Sequence, residues 1–310
     1  MPQSLKPGVY VPTPTFFHDD ADETIDLAAT ARHAVRLAQA GVTGLAVQGS
    51  SGEAVHLLDK ERASITHVTR TALDEAGFTS MPIIVGTGAQ STRQTIAFCQ
   101  QAALARGDAV LVLPPAYYSR SHDHQTFVRF FKDVAAASPL PVLVYNYPGA
   151  TGGLDLSSDE LVALGGPKHP NIVGAKFTCG NTGKLGRVAA TLGDENFLCF
   201  AGSGDFLVPA LSVGAAGVIG GIANVAPKTV VKVYEAFRDG RLKEAQEIQK
   251  ILGRGDWNAI QWGIPGIKAC LQEYEGYGGW GRKPLVRLEG EAKKLALAGF
   301  KELMDFEKSL

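Results

Sequence analysis

The sequence predicts an α/β protein, a closed (β/α)8 barrel of the TIM type with a C-terminal helical extension. Short apolar runs alternate eight times with longer segments of helical periodicity. No polar linker separates two halves, and 310 residues suit one barrel of roughly 250 residues with an addition. The barrel is assigned to residues 1–240 and the extension, packed on it, to residues 241–310. A doubly wound nucleotide-binding sheet lacks its motifs. Neither Gly-x-Gly-x-x-Gly after an early strand nor Gly-x-x-x-x-Gly-Lys-Ser/Thr occurs.

The first strand is expected at Gly8 to Thr13, followed by Asp19, Asp20, Asp22 and Glu23 as a polar loop and the acidic first turn of a helix. Strands follow at Gly44 to Val47, Pro82 to Gly86, Ala109 to Leu113 and Pro141 to Tyr145. Helices are expected over Asp59 to Ala76 and near Ser91 to Arg106, then in a segment where Phe127, Phe130, Phe131 and Val134 share one face. A short helix from Asp159 leads to the strand that ends near Lys176. After it come a helix from Lys184 to Leu192 and strands at Phe197 to Ala201 and Gly217 to Gly220. A helix beyond Pro227 closes the barrel. The apolar stripe Leu242, Ala245, Ile248, Leu252 and a helix from Gly290 form the extension, expected outside the barrel.

Composition narrows the function. Thirty basic against 31 acidic residues, a net charge of -1 and no block of Lys or Arg argue against a nucleic-acid partner. Cys99, Cys179, Cys199 and Cys270 are far apart with no Cys-x-x-Cys, which suits free thiols in a reducing compartment. The first seventeen residues carry one cation, Lys6, and no apolar core of a signal peptide, so the cytoplasm is the expected location. Phe206 to Pro227 is uncharged and long enough to span a bilayer, but Pro209, Asn224 and four glycines interrupt it. It is read as a short helix and a buried strand, with no membrane partner.

In such a barrel the chemistry lies at the C-terminal ends of the strands, where three stretches matter. In Gly49-Ser50-Ser51-Gly52-Glu53 two hydroxyls and the neighbouring backbone N–H groups can converge on a small carboxylate, although glycine–serine loops are most often plain turns. In Tyr145-Asn146-Tyr147-Pro148 a phenol at a strand end can relay a proton or sit satisfied in the core. In Gly174-Ala175-Lys176 small residues leave space beside an amine that either snorkels to solvent or attacks a carbonyl. Alternation places Gly174 and Ile172 on the face of Lys176.

These three stretches, in this order, resemble the dihydrodipicolinate synthase and N-acetylneuraminate lyase family of Schiff-base aldolases, over Gly8 to about Pro284. The resemblance implies that Lys176 forms an imine with pyruvate, that Tyr145 moves protons, and that Ser50 and Ser51, with Gly49, bind the pyruvate carboxylate. Pro115-Ala116-Tyr117-Tyr118 is similar to a segment from which one tyrosine reaches a neighbouring subunit's site. Tyr118 is the match, with Tyr117 the alternative because Ala116 leaves the register open by one. A homo-oligomer, dimer or tetramer, is implied in the same way, and no cofactor or metal is. His122-x-His124 is read as a solvated pair in a polar loop.

One departure matters. Dihydrodipicolinate synthases usually carry an arginine after the tyrosine motif to hold the second substrate's carboxylate; here the chain reads Pro148-Gly149-Ala150-Thr151-Gly152. Lys176-Phe177-Thr178-Cys179-Gly180 looks closer to 4-hydroxy-2-oxoglutarate aldolases and fungal 2-keto-3-deoxy sugar acid aldolases. The expected activity is therefore reversible cleavage of a hydroxylated 2-keto acid to pyruvate and an aldehyde, with small molecules as the partners. The alternatives are a dihydrodipicolinate synthase-like condensation, dehydration of a keto-deoxy sugar acid, and keto-acid binding without catalysis. Phe177, Thr178, Gly202, Ser203 and Ile222 are expected to line the aldehyde end of the pocket.

Overall fold

A computed structural model describes residues 2–119, 123–193 and 196–310. Eight strands, β1 (Gly8–Pro12), β2 (Gly44–Val47), β3 (Ile83–Gly86), β4 (Ala109–Val112), β5 (Val142–Asn146), β6 (Ile172–Phe177), β7 (Leu198–Ala201) and β8 (Gly217–Ile219), pair in parallel and in sequence order into a closed barrel. Their near-continuous Val, Ile, Leu and Ala content follows from burial on both faces. Closure pairs Gly8 with Gly217, and a Cβ on Gly217 would lie 1.9 Å from the Gly8 carbonyl oxygen. The seam therefore requires glycine.

Eight helices alternate with the strands: α1 (Leu27–Gln39), α2 (Asp59–Glu75), α3 (Thr92–Leu104), α4 (His124–Ala137), α5 (Ser158–Leu164), α6 (Thr182–Leu192), α7 (Leu207–Ser212) and α8 (Pro227–Arg238). Side-chain caps explain several starts. Ser91 accepts from the Gln94 amide at 3.2 Å, Asn181 from Lys184 at 2.8 Å, and Ser157 and Glu160 form a capping box. The sequence reading of the first helix needs correction. Asp19, Asp20, Asp22 and Glu23 all precede α1, which is capped by Asp26, while the Asp20 carboxylate accepts from the Asp22 and Thr24 amides and holds a loop. Aspartate competes well for local backbone donors, and that competition ends the acidic stretch as a turn.

Two apolar layers result. Tyr10, Ala46, Ile84, Leu111, Leu143 and Phe200 fill the barrel interior, and a larger layer packs between strands and helices. Tyr10 meets Phe200 edge-on at 5.3 Å and plugs the barrel below the site. A register shift between Val142 and Leu143 skips Val173, so that Leu143 pairs with Gly174 and Tyr145 with Lys176. This bulge overturns the simple alternation along β6: Gly174 and Lys176 share a face, whereas Ile172 lies in the outer layer.

The uncharged Phe206 to Pro227 stretch forms α7 and β8, and no helix among the described residues is long and apolar enough to cross a membrane. Two C-terminal helices follow, α9 (Leu242–Glu275) and α10 (Gly290–Lys308). α9 breaks at Gly263, with φ 59° and ψ -151°, two residues before Pro265. Proline has no N–H for the helix ladder and crowds the preceding turn, and the break falls on the residue that tolerates a left-handed backbone. The kinked helix lies across the C-terminal mouth of the barrel, where it walls the cavity described next.

Candidate active site

A cavity of about 500 Å³ opens at the C-terminal ends of the strands. Lys176 and Tyr145 enter it from adjacent strands at paired positions, and both are almost fully buried. The Lys176 Nζ donates to the Tyr145 hydroxyl at 3.2 Å and lies 4.2 Å from the centre of its ring. Tyr147 stacks on Tyr145 at 5.7 Å, which limits the swing of the ring. The loop behind them is tied down through Asn146, whose amide donates to Asp155 at 2.7 Å and accepts from the Leu156 N–H at 3.0 Å. Lys184 also bonds Asp155.

Ser50 and Ser51 line the same cavity from the loop after β2. The loop is bracketed by two non-glycine residues in left-handed conformation, Gln48 at φ 57° and Glu53 at φ 53°. Such residues cost free energy and persist only where surroundings hold them. The Gln48 amide donates to the Arg62 carbonyl and the Thr66 hydroxyl, both at 2.6 Å. The Glu53 carboxylate accepts from Lys268 of α9 at 2.6 Å and from the Arg282 amide at 2.9 Å. The loop is thus fixed at both ends.

Thr178, Gly202, Ser203 and Ile222 also line the cavity. Gly202 has a steric reason: a Cβ there would lie 2.1 Å from the Thr178 Oγ1. Phe177 does not line the cavity. Its side chain points opposite to that of Lys176 and is buried in the outer layer. Gly49 borders a second cavity of about 270 Å³, which shares Ser50 and Tyr145 with the first. Tyr117 and Tyr118 line neither; they are 79% and 65% exposed and contact each other edge-on at 4.9 Å. His122 lies outside the described residues, and His124 opens α4. Among the described residues no three His, Cys, Asp or Glu side chains cluster closely enough to hold a metal ion.

Sequence reasoning missed the far wall. Asp205 follows β7, while Asp256, Ile260, Ile264 and Ile267 come from α9 and close the cavity opposite the strands. Asp256 accepts from the Ser203 hydroxyl at 2.6 Å and from the Asp205 amide at 2.8 Å. Burial pushes its carboxyl up to about 6 despite these donors. The available signal was a carboxylate at 256 on the same helical stripe as Ile260, Ile264 and Ile267, an apolar face with one costly exception.

An amine and a phenol in contact, beside paired hydroxyls in one cavity, suit carbonyl chemistry on a small carboxylic acid. The Dihydrodipicolinate synthetase family profile matches residues 7–301. The chain belongs to that family. Among relatives of this synthetase-family chain, a protein of Emericella nidulans named "Probable 4-hydroxy-2-oxoglutarate aldolase, mitochondrial" is 51% identical over 99% of the chain and 97% of its own length. The L-threo-3-deoxy-hexylosonate aldolase of Hypocrea jecorina is 46% identical over 100% and 99%. A solved dihydrodipicolinate synthase family structure from Coccidioides immitis superposes with a TM-score of 0.89 at 36% identity, covering 100% of this chain and 99% of that one. YagE of Escherichia coli, solved in complex with pyruvate, gives 0.88 at 28% identity over 97% and 99%.

Proposed function

We propose that the protein is a class I aldolase that reversibly cleaves a hydroxylated 2-keto acid to pyruvate and an aldehyde. The observation that carries the proposal is the 3.2 Å contact between Lys176 and Tyr145 in the cavity that Ser50 and Ser51 also line. Family membership and the aldolase names of the two full-length relatives support it.

The serine hydroxyls and the amides of their loop hold the substrate carboxylate, which sets the 2-keto carbon against the Lys176 Nζ. The amine, once deprotonated, adds to that carbon and water leaves, giving a protonated imine. The C3–C4 electron pair then flows into the imine as the C4 hydroxyl proton leaves through the Tyr145 oxygen. An aldehyde departs and an enamine remains on Lys176; protonation at C3 and hydrolysis release pyruvate and restore the amine. Borohydride reduction after incubation with pyruvate tests this directly. One reduced adduct mapped to Lys176 is the expected result, and its absence would refute the aldolase reading.

Tyr118 belongs to the same proposal in a different way: its exposure in one chain supports a role in completing a neighbouring subunit's site in a homo-oligomer. Sedimentation should show a dimer or tetramer, and a monomer at working concentration would remove that role. All four cysteines are free, which fits a reducing compartment such as the cytosol; cell fractionation distinguishes this from the mitochondrial location in one relative's name.

A further inference from the structure

We infer that Arg62 is a positioning residue for the substrate carboxylate: it holds the serine loop closed from behind and sets an unneutralised positive charge there. The inference rests on the reading in which Ser50 and Ser51 bind that carboxylate, and deepens it. Arg62 lies on α2, lines neither cavity and is 4% exposed. Yet it reaches both ends of the loop. Its backbone carbonyl accepts from the Gln48 side-chain amide at 2.6 Å, while its guanidinium donates to the Ala54 carbonyl at 3.1 Å and to the Gly86 carbonyl at the end of β3. Between these anchors the chain turns back on itself. The Glu53 amide donates to the Ser50 carbonyl at 3.1 Å and the Ala54 amide to the Gly49 carbonyl at 3.3 Å. Gly86 allows the close approach, since a Cβ there would lie 2.0 Å from the Gln48 carbonyl oxygen.

The charge matters as much as the bonds. Among the described residues Lys176 is the only lysine or arginine lining either cavity, and its amine is committed to the keto carbon. A carboxylate desolvated between two serines calls for a compensating charge. Lys268, which also reaches the loop, is neutralised by Glu53 at 2.6 Å. Arg62 makes no ion pair among the described residues: its donors go to two carbonyls, and its guanidinium carbon stands 4.3 Å from the centre of the Phe98 ring. Asp59, one turn earlier on α2, is the acidic group that bears on it, and burial lowers its pKa from 12.5 to about 10. It therefore stays charged at neutral pH. A buried cation without a carboxylate of its own is costly in the empty protein, and an anion bound on the loop it supports offsets that cost through a low-dielectric interior.

The test compares two carbonyl compounds of one size, pyruvate and its neutral amide pyruvamide, by the rate at which borohydride traps each on the protein at subsaturating concentration. Wild-type protein should favour pyruvate by about tenfold or more. Arg62→Met keeps most of the bulk and removes the charge. It should lower the pyruvate rate about tenfold while leaving the pyruvamide rate within about threefold, and in turnover the loss should fall on KM rather than kcat. Arg62→Lys, which restores the charge, should recover part of the preference. Arg62→Gln, neutral but still a donor, gives the same comparison where Arg62→Met does not fold. An equal fall with both compounds, a neutral variant as selective as wild type, or no recovery in Arg62→Lys would overturn the inference and leave the aldolase reading standing. Failure of the wild-type protein to trap pyruvate would overturn both.

Discussion

The carboxylate of Glu53 and the ammonium of Lys268 meet at 2.6 Å with neither side chain exposed to solvent. Glu53 ends the serine loop and Lys268 belongs to the kinked α9, so one buried ion pair joins the Ser50–Ser51 loop to the C-terminal helices. The ammonium is further satisfied by the Trp280 carbonyl at 2.8 Å and lies 4.6 Å from the Phe17 ring centre.

Lys268→Met should destabilise the protein by about 3–5 kcal/mol, because it leaves an uncompensated buried carboxylate. The loop strained at Glu53 should relax with it, raising KM for pyruvate more than it lowers kcat. Denaturant titration and steady-state kinetics check this. A companion Lys268→Met/Glu53→Leu variant, with no charge left behind, should recover most of the stability and little of the pyruvate affinity.

Lys176→Ala should abolish both turnover and the borohydride adduct while leaving the thermal midpoint equal or higher, since it removes a buried amine. Tyr145→Phe keeps the ring stacked on Tyr147 and deletes only the hydroxyl. It should reduce kcat by about 10²–10³-fold, as expected for loss of a proton relay, with pyruvate trapping retained. Equal loss of trapping and turnover in Tyr145→Phe would argue against a relay.

Asp256 gives a pH signature in stability. Its carboxyl is pushed up from 3.8 to about 6 by burial, with Asp205 adding repulsion and Ser203 and the Gly204 and Asp205 amides opposing the shift. The unfolded chain releases this proton at lower pH than the folded one. Its contribution therefore turns unfavourable as pH rises from about 3.8 to about 6 and stays so above. Asp256→Asn should raise the unfolding free energy by an order of 1–3 kcal/mol at pH 8 and change it little near pH 3.5. Chemical denaturation at the two pH values separates this from a uniform effect.

His33 has the opposite window. It is buried on α1 beside Arg36, with its ring nitrogens on the Tyr277 hydroxyl at 2.9 Å and the Asn224 side-chain Oδ1 at 3.0 Å. Burial and the nearby guanidinium bring its pKa from 6.5 down to about 3. Above pH 6.5 both states are neutral and stability is unaffected. Below it the unfolded chain binds a proton that the folded chain refuses, so stability falls progressively towards pH 3. His33→Gln should flatten this part of the pH–stability curve, whatever its effect at pH 7.

The barrel was legible because its strands are short, apolar and separated by helices at a regular rhythm, and the residues that carry the chemistry sit where those strands stop. Lys176 and Tyr145 could be found one at a time; their contact depends on the register of β5 against β6, including a bulge at Val142/Leu143 that no alternation pattern announces. Ile172 and Phe177 were assigned to the wrong faces for related reasons: one lies before the bulge, and the other is the ordinary outward neighbour of an inward lysine. Asp205 and Lys268 were invisible because their importance comes from partners in other elements, and Asp256 showed only as a lone carboxylate on an apolar helix face. Their sequence neighbourhoods look like a turn and two stretches of amphipathic helix.

The kinked α9 has an evolutionary consequence. Lys176, Tyr145, Ser50 and Ser51 lie on strands and strand-end loops, whereas Asp256, Ile260, Ile264 and Ile267, which line the same cavity, lie on a helix added after the barrel is complete. Substitutions along Asp256, Ile260, Ile264 and Ile267 can redraw which aldehyde is accepted without disturbing the imine-forming machinery. A lineage built this way can change its diet by editing one helix face, and members of similar overall sequence can diverge in substrate while the lysine, the tyrosine and the serine pair stay as they are.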